Sequence, residues 1–458
     1  MAACSQPDRP HIRTNCGPMS QEAVAEAGHP PATGTVPAGA ATARNPLPPG
    51  ALVIGIALVI QGLTTYGFLV IAHRALGDVA YSPFSALWAL TFVAAPGLFL
   101  PLEQEVGRAA SARRVAGLGA GPVVRRALLL GVGLALAVMV LAGAGEAPLI
   151  SNLFKGDGFL LLSFVVAIAC YTVYYLTRGT LAGAGHFGGY ATILLAEGVV
   201  RIATAVVLWR AGVTSSGAYG LTISLPCLVG LAVALSRQHG VATPGPPARW
   251  SELSSALGWL LTGSLLAQAL MNVAPLAVQA FFSASDPAAA GRVLNGLIVA
   301  RIPLFFFQAI QASLMPKLSA DATAGRFEEF GSLLRRILLL AGAVVAISVV
   351  GMVWLGPPVL HLLFPTAHPL GRGDLALLAL GSEGMMVAFS LAYACIALRG
   401  YRGATTGWVS GTVALVVAVA VLPGTLLRVE IAFCAGVAVA CVVMAAALRG
   451  LLRARRSS

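Results

Sequence analysis

Arg301 stands two residues ahead of Pro303 inside an apolar run that continues through Gln308 and Gln311. An arginine facing lipid costs several kcal/mol even on the lenient insertion scale, so this one must face protein or water. A guanidinium offers paired donors that match a phosphate. The alternative is that Arg301 is neutralised by a carboxylate such as Glu383 or by carbonyls. Pro303 frees carbonyls near position 299 and permits a kink there. Gln308 and Gln311 continue along the same helix and suit sugar hydroxyls, or equally hydrogen bonds between helices.

Four carboxylates join this set. Glu103 and Glu105 flank Gln104 at the end of an apolar run. Spacing i, i+2 puts them on different helix faces, so they do not share a proton. Glu103 and Gln104 are candidate substrate contacts, while Glu105 fits an i, i+3 ion pair with Arg108. Glu197 and Arg201 are spaced i, i+4, which favours mutual neutralisation on one helix. Glu383 stands alone within "LGSEGMM" and must be protonated, matched or wetted, so it is a candidate for coupling or charge pairing. His361 and His368 flank a proline at a poor spacing for a metal. No phosphate-cradling glycine loop occurs, and no motif calls for a cofactor. The outward-side acids are scattered over short loops, so an enzyme is not expected.

These residues must be positioned by membrane helices. Of 458 residues, 58% are hydrophobic and only 10% charged, against about a quarter charged in soluble proteins. Twelve segments of membrane-spanning length fall at roughly 50–72, 83–105, 123–145, 158–181, 188–210, 217–236, 255–281, 289–315, 335–355, 374–398, 404–424 and 428–449. The net charge of +12 follows their loops. Twenty-one of the 29 Lys+Arg fall on one side and six on the other, with Arg201 and Arg301 inside spans. Both termini are therefore expected in the cytoplasm of a multi-pass plasma-membrane protein, and nucleic acid is not the partner. Residues 1–49 hold nine of the 27 prolines and no sustained apolar run, which reads as a disordered cytoplasmic tail. The seven cysteines contain no CxxC and read as small buried residues.

The chain also repeats. Pro96, Phe99 and Gln104 recur as Pro303, Phe306 and Gln311 at one offset, and "LTRG" recurs as "ALRG". A duplicated block of six spans predicts two bundles, 50–237 and 255–449, joined by a cytoplasmic linker 238–254 and followed by a basic tail 450–458. Six is even, so the bundles are related by an axis along the membrane normal and enclose a central cleft.

With "FLPLEQEVGRA", "RGTLAGAGHFGGYATILLAEGVVR" and "ARIPLFFFQAIQASLMPKLS" in those places, residues 50–450 resemble the polysaccharide-exporter branch of the MOP superfamily. The resemblance implies an all-α membrane fold with about twelve helices in two six-helix bundles. It implies alternating access and a polyprenyl-(pyro)phosphate-linked saccharide moved from the cytoplasmic to the outer leaflet. Membrane lipids and polysaccharide assembly enzymes are the other partners expected. The rival expectation is a cation-coupled multidrug antiporter of the same superfamily. Cationic drugs favour a carboxylate-dominated cleft, whereas arginine makes up half of the set Glu197, Arg201, Arg301 and Glu383.

Overall fold

The computed structural model describes residues 50–237, 241–253, 256–424 and 426–456. The expected N-terminal tail lies outside them. Among the described residues every regular element is helical. The first, α1 (Ala51–Val115), runs for 65 residues but is interrupted at Gly77, with φ 70° and ψ 169°. A straight helix of that length would reach about 100 Å, three times the hydrocarbon thickness. Instead the Phe68 and Trp88 rings stack at 5.9 Å, so the chain reverses at Gly77 and α1 crosses twice. That backbone conformation is accessible almost only to glycine.

The first six crossings are completed by α2 (Gly121–Ala144), α3 (Gly158–Ala184), α4 (Phe187–Arg210) and the pair α5 (Ser216–Leu221) and α6 (Leu225–Ser236). The second six are α7 (Leu257–Phe282), α8 (Ala289–Ala300) with α9 (Ile302–Thr323), α10 (Phe327–Leu363), α11 (Arg372–Ala397), α12 (Tyr401–Val421) and α13 (Leu426–Arg456). Among the described residues ten helical stretches, the pair α5–α6 counting as one, are long and apolar enough to cross a membrane. The double crossing of α1 and the broken pair α8–α9 bring the crossings to the twelve expected.

The two bundles have separate apolar cores, one within 57–234 and one within 267–448, and Leu294 and Ile298 of α8 join the first. Outside, residues such as Leu141, Ile347 and Val442 are exposed, as lipid-facing helices require. Close packing uses glycine. A side chain at Gly179 would fall 2.4 Å from the Glu103 carbonyl oxygen, and one at Gly411 would fall 2.6 Å from that of Gly436. The short-residue pairs Gly179/Gly183 and Gly407/Gly411 are such contacts.

One sequence expectation needs correction. The run 289–315 is not one kinked helix. It breaks at Arg301, whose backbone sits at φ −85° and ψ −1° between α8 and α9. Pro303, at the start of α9, lacks the N–H that a continuous helix needs and crowds the carbonyl of residue 299. Pro96, its counterpart in the first half, is carried inside an unbroken limb of α1. Arg113 and Arg178, two of the bases counted on the cytoplasmic side, are buried. Arg113 bonds Glu252 at 2.7 Å and the Pro246 carbonyl at 3.0 Å. It thereby fastens the stretch 241–253, which also bonds the Gly121 amide through the Thr243 carbonyl at 2.9 Å.

Candidate functional site

The break at Arg301 is the centre of the site. The Arg301 side chain is only 8% exposed. One guanidinium nitrogen donates to Asn272 Oδ1 at 3.1 Å, and the other terminal nitrogen donates to the Met271 carbonyl. That carbonyl is available because Pro275, four residues on in α7, has no N–H to offer it. Asn272 is in turn held by its own amide, which donates to the Gln268 carbonyl at 3.0 Å. Arg301 Nε has no hydrogen-bond partner among the described residues. Two prolines on neighbouring helices thus open the backbone at facing points, and the arginine bridges them.

Glu383 of α11 is fully buried, and neither carboxylate oxygen has a hydrogen-bond partner among the described residues. It faces the Leu304 amide in the first turn of α9 and lies within electrostatic reach of Arg301. No salt bridge joins the two, so the direct Arg301–Glu383 pair considered from sequence does not form; the guanidinium is held instead by neutral oxygens. Tyr66 of α1 lies within electrostatic reach of both charges, which places this centre where the two bundles meet. Gln308 and Gln311 follow on α9, but their side chains lie outside the described residues.

The other candidate residues form two clusters inside the first bundle. Glu197 and Arg201 of α4 make the i, i+4 salt bridge that their spacing predicts. Glu197 also accepts from Gln61 and from the Tyr174 hydroxyl. Arg201 donates to Thr65 at 3.2 Å, to the Tyr171 hydroxyl at 3.1 Å and to the Ile223 carbonyl at 2.9 Å. Ile223 lies in the break between α5 and α6, outside any helical ladder.

Nearer the end of α1, Glu103 pairs with Arg178 at 3.2 Å and accepts from the Tyr190 hydroxyl at 2.8 Å. The Arg178 guanidinium is enclosed by the rings of Tyr174, Tyr175 and Tyr190 at 5.0, 5.2 and 4.7 Å. Tyr174 therefore touches both clusters. Gln104 is exposed while its neighbours Glu103 and Glu105 are buried, so it does not share their surroundings. Glu105 makes the expected pair with Arg108 at 2.5 Å.

The structure therefore brings together Arg301 and Glu383, brings together Glu197 and Arg201, and gives Glu103 a partner of its own. Sequence reasoning missed Arg178, Asn272 and the tyrosines. The spacing Tyr171, Tyr174, Tyr175 is the signal that was present: i, i+3 and i+4 place three hydroxyl-bearing rings on one face.

No family model matches the sequence. Two uncharacterised proteins of Mycobacterium tuberculosis are 23% identical over 379 residues and 25% identical over 374 residues. Each alignment covers 79% of this chain, and 83% and 82% of the relative. Among solved structures, an inward-facing multidrug resistance MATE family transporter of the MOP superfamily superposes with a TM-score of 0.66 at 15% identity, covering 89% of this chain and 99% of that one. An outward-facing multidrug resistance MATE family transporter superposes at 0.63 and 13% identity, covering 89% and 96%. The Vibrio cholerae MATE transporter VcmN in its bent form gives 0.60 at 15% identity, covering 89% and 97%. Twelve crossings in two six-helix bundles, arranged as in these structures, give this multi-pass membrane chain the fold of the MATE transporters.

Proposed function

We propose that this chain is an alternating-access transporter of the MOP type, seated in the plasma membrane with both termini cytoplasmic. It moves a polyprenyl-(pyro)phosphate-linked saccharide from the cytoplasmic to the outer leaflet. The observation that carries this reading is Arg301: a buried guanidinium at a helix break, bonded to neutral oxygens and to no carboxylate. Arg178 and Arg201, buried to a similar degree, each have a carboxylate within bonding distance. Arg301 keeps charge to offer. The start of α9 adds the partial positive charge of a helix N-terminus, the usual partner of an anionic group at a broken membrane helix. Glu383 sits where a counter-anion sits, so an arriving phosphate must displace it or meet it protonated. An inside-negative potential favours outward movement of anionic charge by about 2.3 kcal/mol per charge per 100 mV.

The test is the lipid-linked saccharide pool of cells depleted of the protein. Depletion is expected to accumulate the lipid on the cytoplasmic side, and the wild type to clear it. Arg301→Ala should fail at equal membrane level, and Arg301→Lys should clear it only in part, because a point charge lacks the paired donors. An unchanged pool with increased sensitivity to cationic toxins would sink this reading.

That outcome belongs to the second reading, a cation-coupled multidrug antiporter. It is favoured by Glu383, a buried carboxylate whose oxygens lack partners among the described residues. Toxin resistance lost in Glu383→Gln, with the saccharide pool intact, would support it.

A further inference from the structure

A second site lies at the arginine-rich end of the second bundle, remote in sequence from the residues above. Here α11 ends, α12 begins, α7 begins and α13 ends. They leave a groove of about 620 Å³, lined among others by Trp259, Arg399, Tyr401, Arg402, Gly450 and Leu451. Among the described residues no acidic side chain lines it. Arg399 and Arg402 are exposed, and neither has a salt-bridge partner among the described residues. The Arg402 guanidinium lies 5.6 Å from the centre of the Trp259 ring. Arg399 is held at φ 61°, where an unbranched or branched side chain is strained and glycine would not be. Gly450 lines the groove and is exposed, and an added side-chain carbon there would meet nothing within 4 Å.

We infer that this groove seats an acidic phospholipid of the adjoining leaflet, its phosphate between Arg399 and Arg402 and an acyl chain along Gly450 and Leu451. The helix ends put the groove at the membrane–water boundary, the level at which Trp and Tyr anchor. Two unpaired guanidinium groups there attract a headgroup with net negative charge over a zwitterionic one. The apolar floor beside them takes the chain that a free phosphate lacks. Charge, depth and shape select the same ligand.

The experiment uses the full chain purified in detergent, with native mass spectrometry as readout. Phosphatidylglycerol, phosphatidylcholine with the same chains, and a polyprenyl phosphate are the probes. Wild type is expected to retain one phosphatidylglycerol in preference to phosphatidylcholine. The double variant Arg399→Gln/Arg402→Gln should lower that retention roughly tenfold. Gly450→Trp should lower it similarly by filling the groove while keeping both charges. Only variants that match wild type in melting temperature and dispersity are compared, and if the double variant does not, Gly450→Trp decides. Equal retention of the two phospholipids, or unchanged phosphatidylglycerol in the variants, would overturn the proposal. So would displacement of phosphatidylglycerol by polyprenyl phosphate in wild type with the same loss in the variants, which would assign the groove to the carried lipid.

Discussion

Each buried arginine of this protein is distinguished by what meets it. Arg201 is 1% exposed and surrounded by Glu197, Tyr171, Thr65 and the Ile223 carbonyl, so its charge is internally matched. Removing one member of such a pair leaves the other buried and uncompensated, which costs about 3–5 kcal/mol. Glu197→Ala should therefore lower stability by that amount in thermal unfolding of the detergent-solubilised protein. Glu197→Ala combined with Arg201→Met should recover part of the loss. A single variant within about 1 kcal/mol of wild type would show that water already compensates the pair. The Glu197–Arg201 pair was legible because i, i+4 geometry is contained in one helix. The pair Glu103–Arg178 was not, since its members lie on different helices and nothing local links them. Asn272 was hidden for the same reason, although Pro275 marks the carbonyl beside it.

At the level of elements, prolines and glycines were the readable features. Pro303 was read as permitting a kink in the 289–315 run, where the structure has a full break at Arg301. Eleven of the twelve residues of α8 are buried, Arg292 being the exception. Within the stretch read as a cytoplasmic linker, 238–254, residues 241–253 dock on the first bundle. Its anchor Glu252 lies between candidate membrane spans, outside both. The Arg113 hydrogen bond, and then the Arg249 backbone amide, hold its carboxyl below the usual carboxylate range. A lowered folded value means the stabilisation is complete above the ordinary pKa and fades as pH falls through the lowered one. The protection factor of the 241–253 amides, exchange corrected for its intrinsic pH dependence, should therefore be high at neutral pH and fall below about pH 4. Glu252→Gln should show the lower protection factor at neutral pH and little further change in it on acidification. Protection that is identical in wild type and variant at both pH values would remove Glu252 as the anchor.

For the whole molecule, the halves meet at both ends. At one end Thr366 donates to Asp78 at 2.7 Å, Arg74 donates to the Leu362 carbonyl at 2.9 Å, and Ser82 donates to Gln279 at 2.8 Å. At the other, Leu257 packs with Leu102, Val106 and Leu176, and Gly97 lies against Leu265. The alternating access proposed above would open one set while the other holds. In a cysteine-free background, Asp78→Cys and Thr366→Cys joined by a short bifunctional thiol reagent should arrest transport, and each single variant treated alike should not. Transport that survives quantitative cross-linking would mean this end does not open in the cycle. The twofold six-helix plan was legible from hydropathy and the internal repeat, because bilayer thickness fixes span length. The contacts between halves were not, since they join residues such as Arg74 and Leu362 across most of the chain.

The broken crossing also bears on how the chain is made. A segment carrying Arg301 near its middle is a poor substrate for insertion by itself, and α8 has only twelve residues with which to compensate. Its acceptors, Met271 and Asn272, lie thirty and twenty-nine residues upstream. During synthesis from the N-terminus, α7 therefore emerges first and presents a carbonyl already stripped of its donor by Pro275. The arginine arrives second, to a bond that is waiting. The order of the helices along the chain is thus part of what lets this charge enter the bilayer.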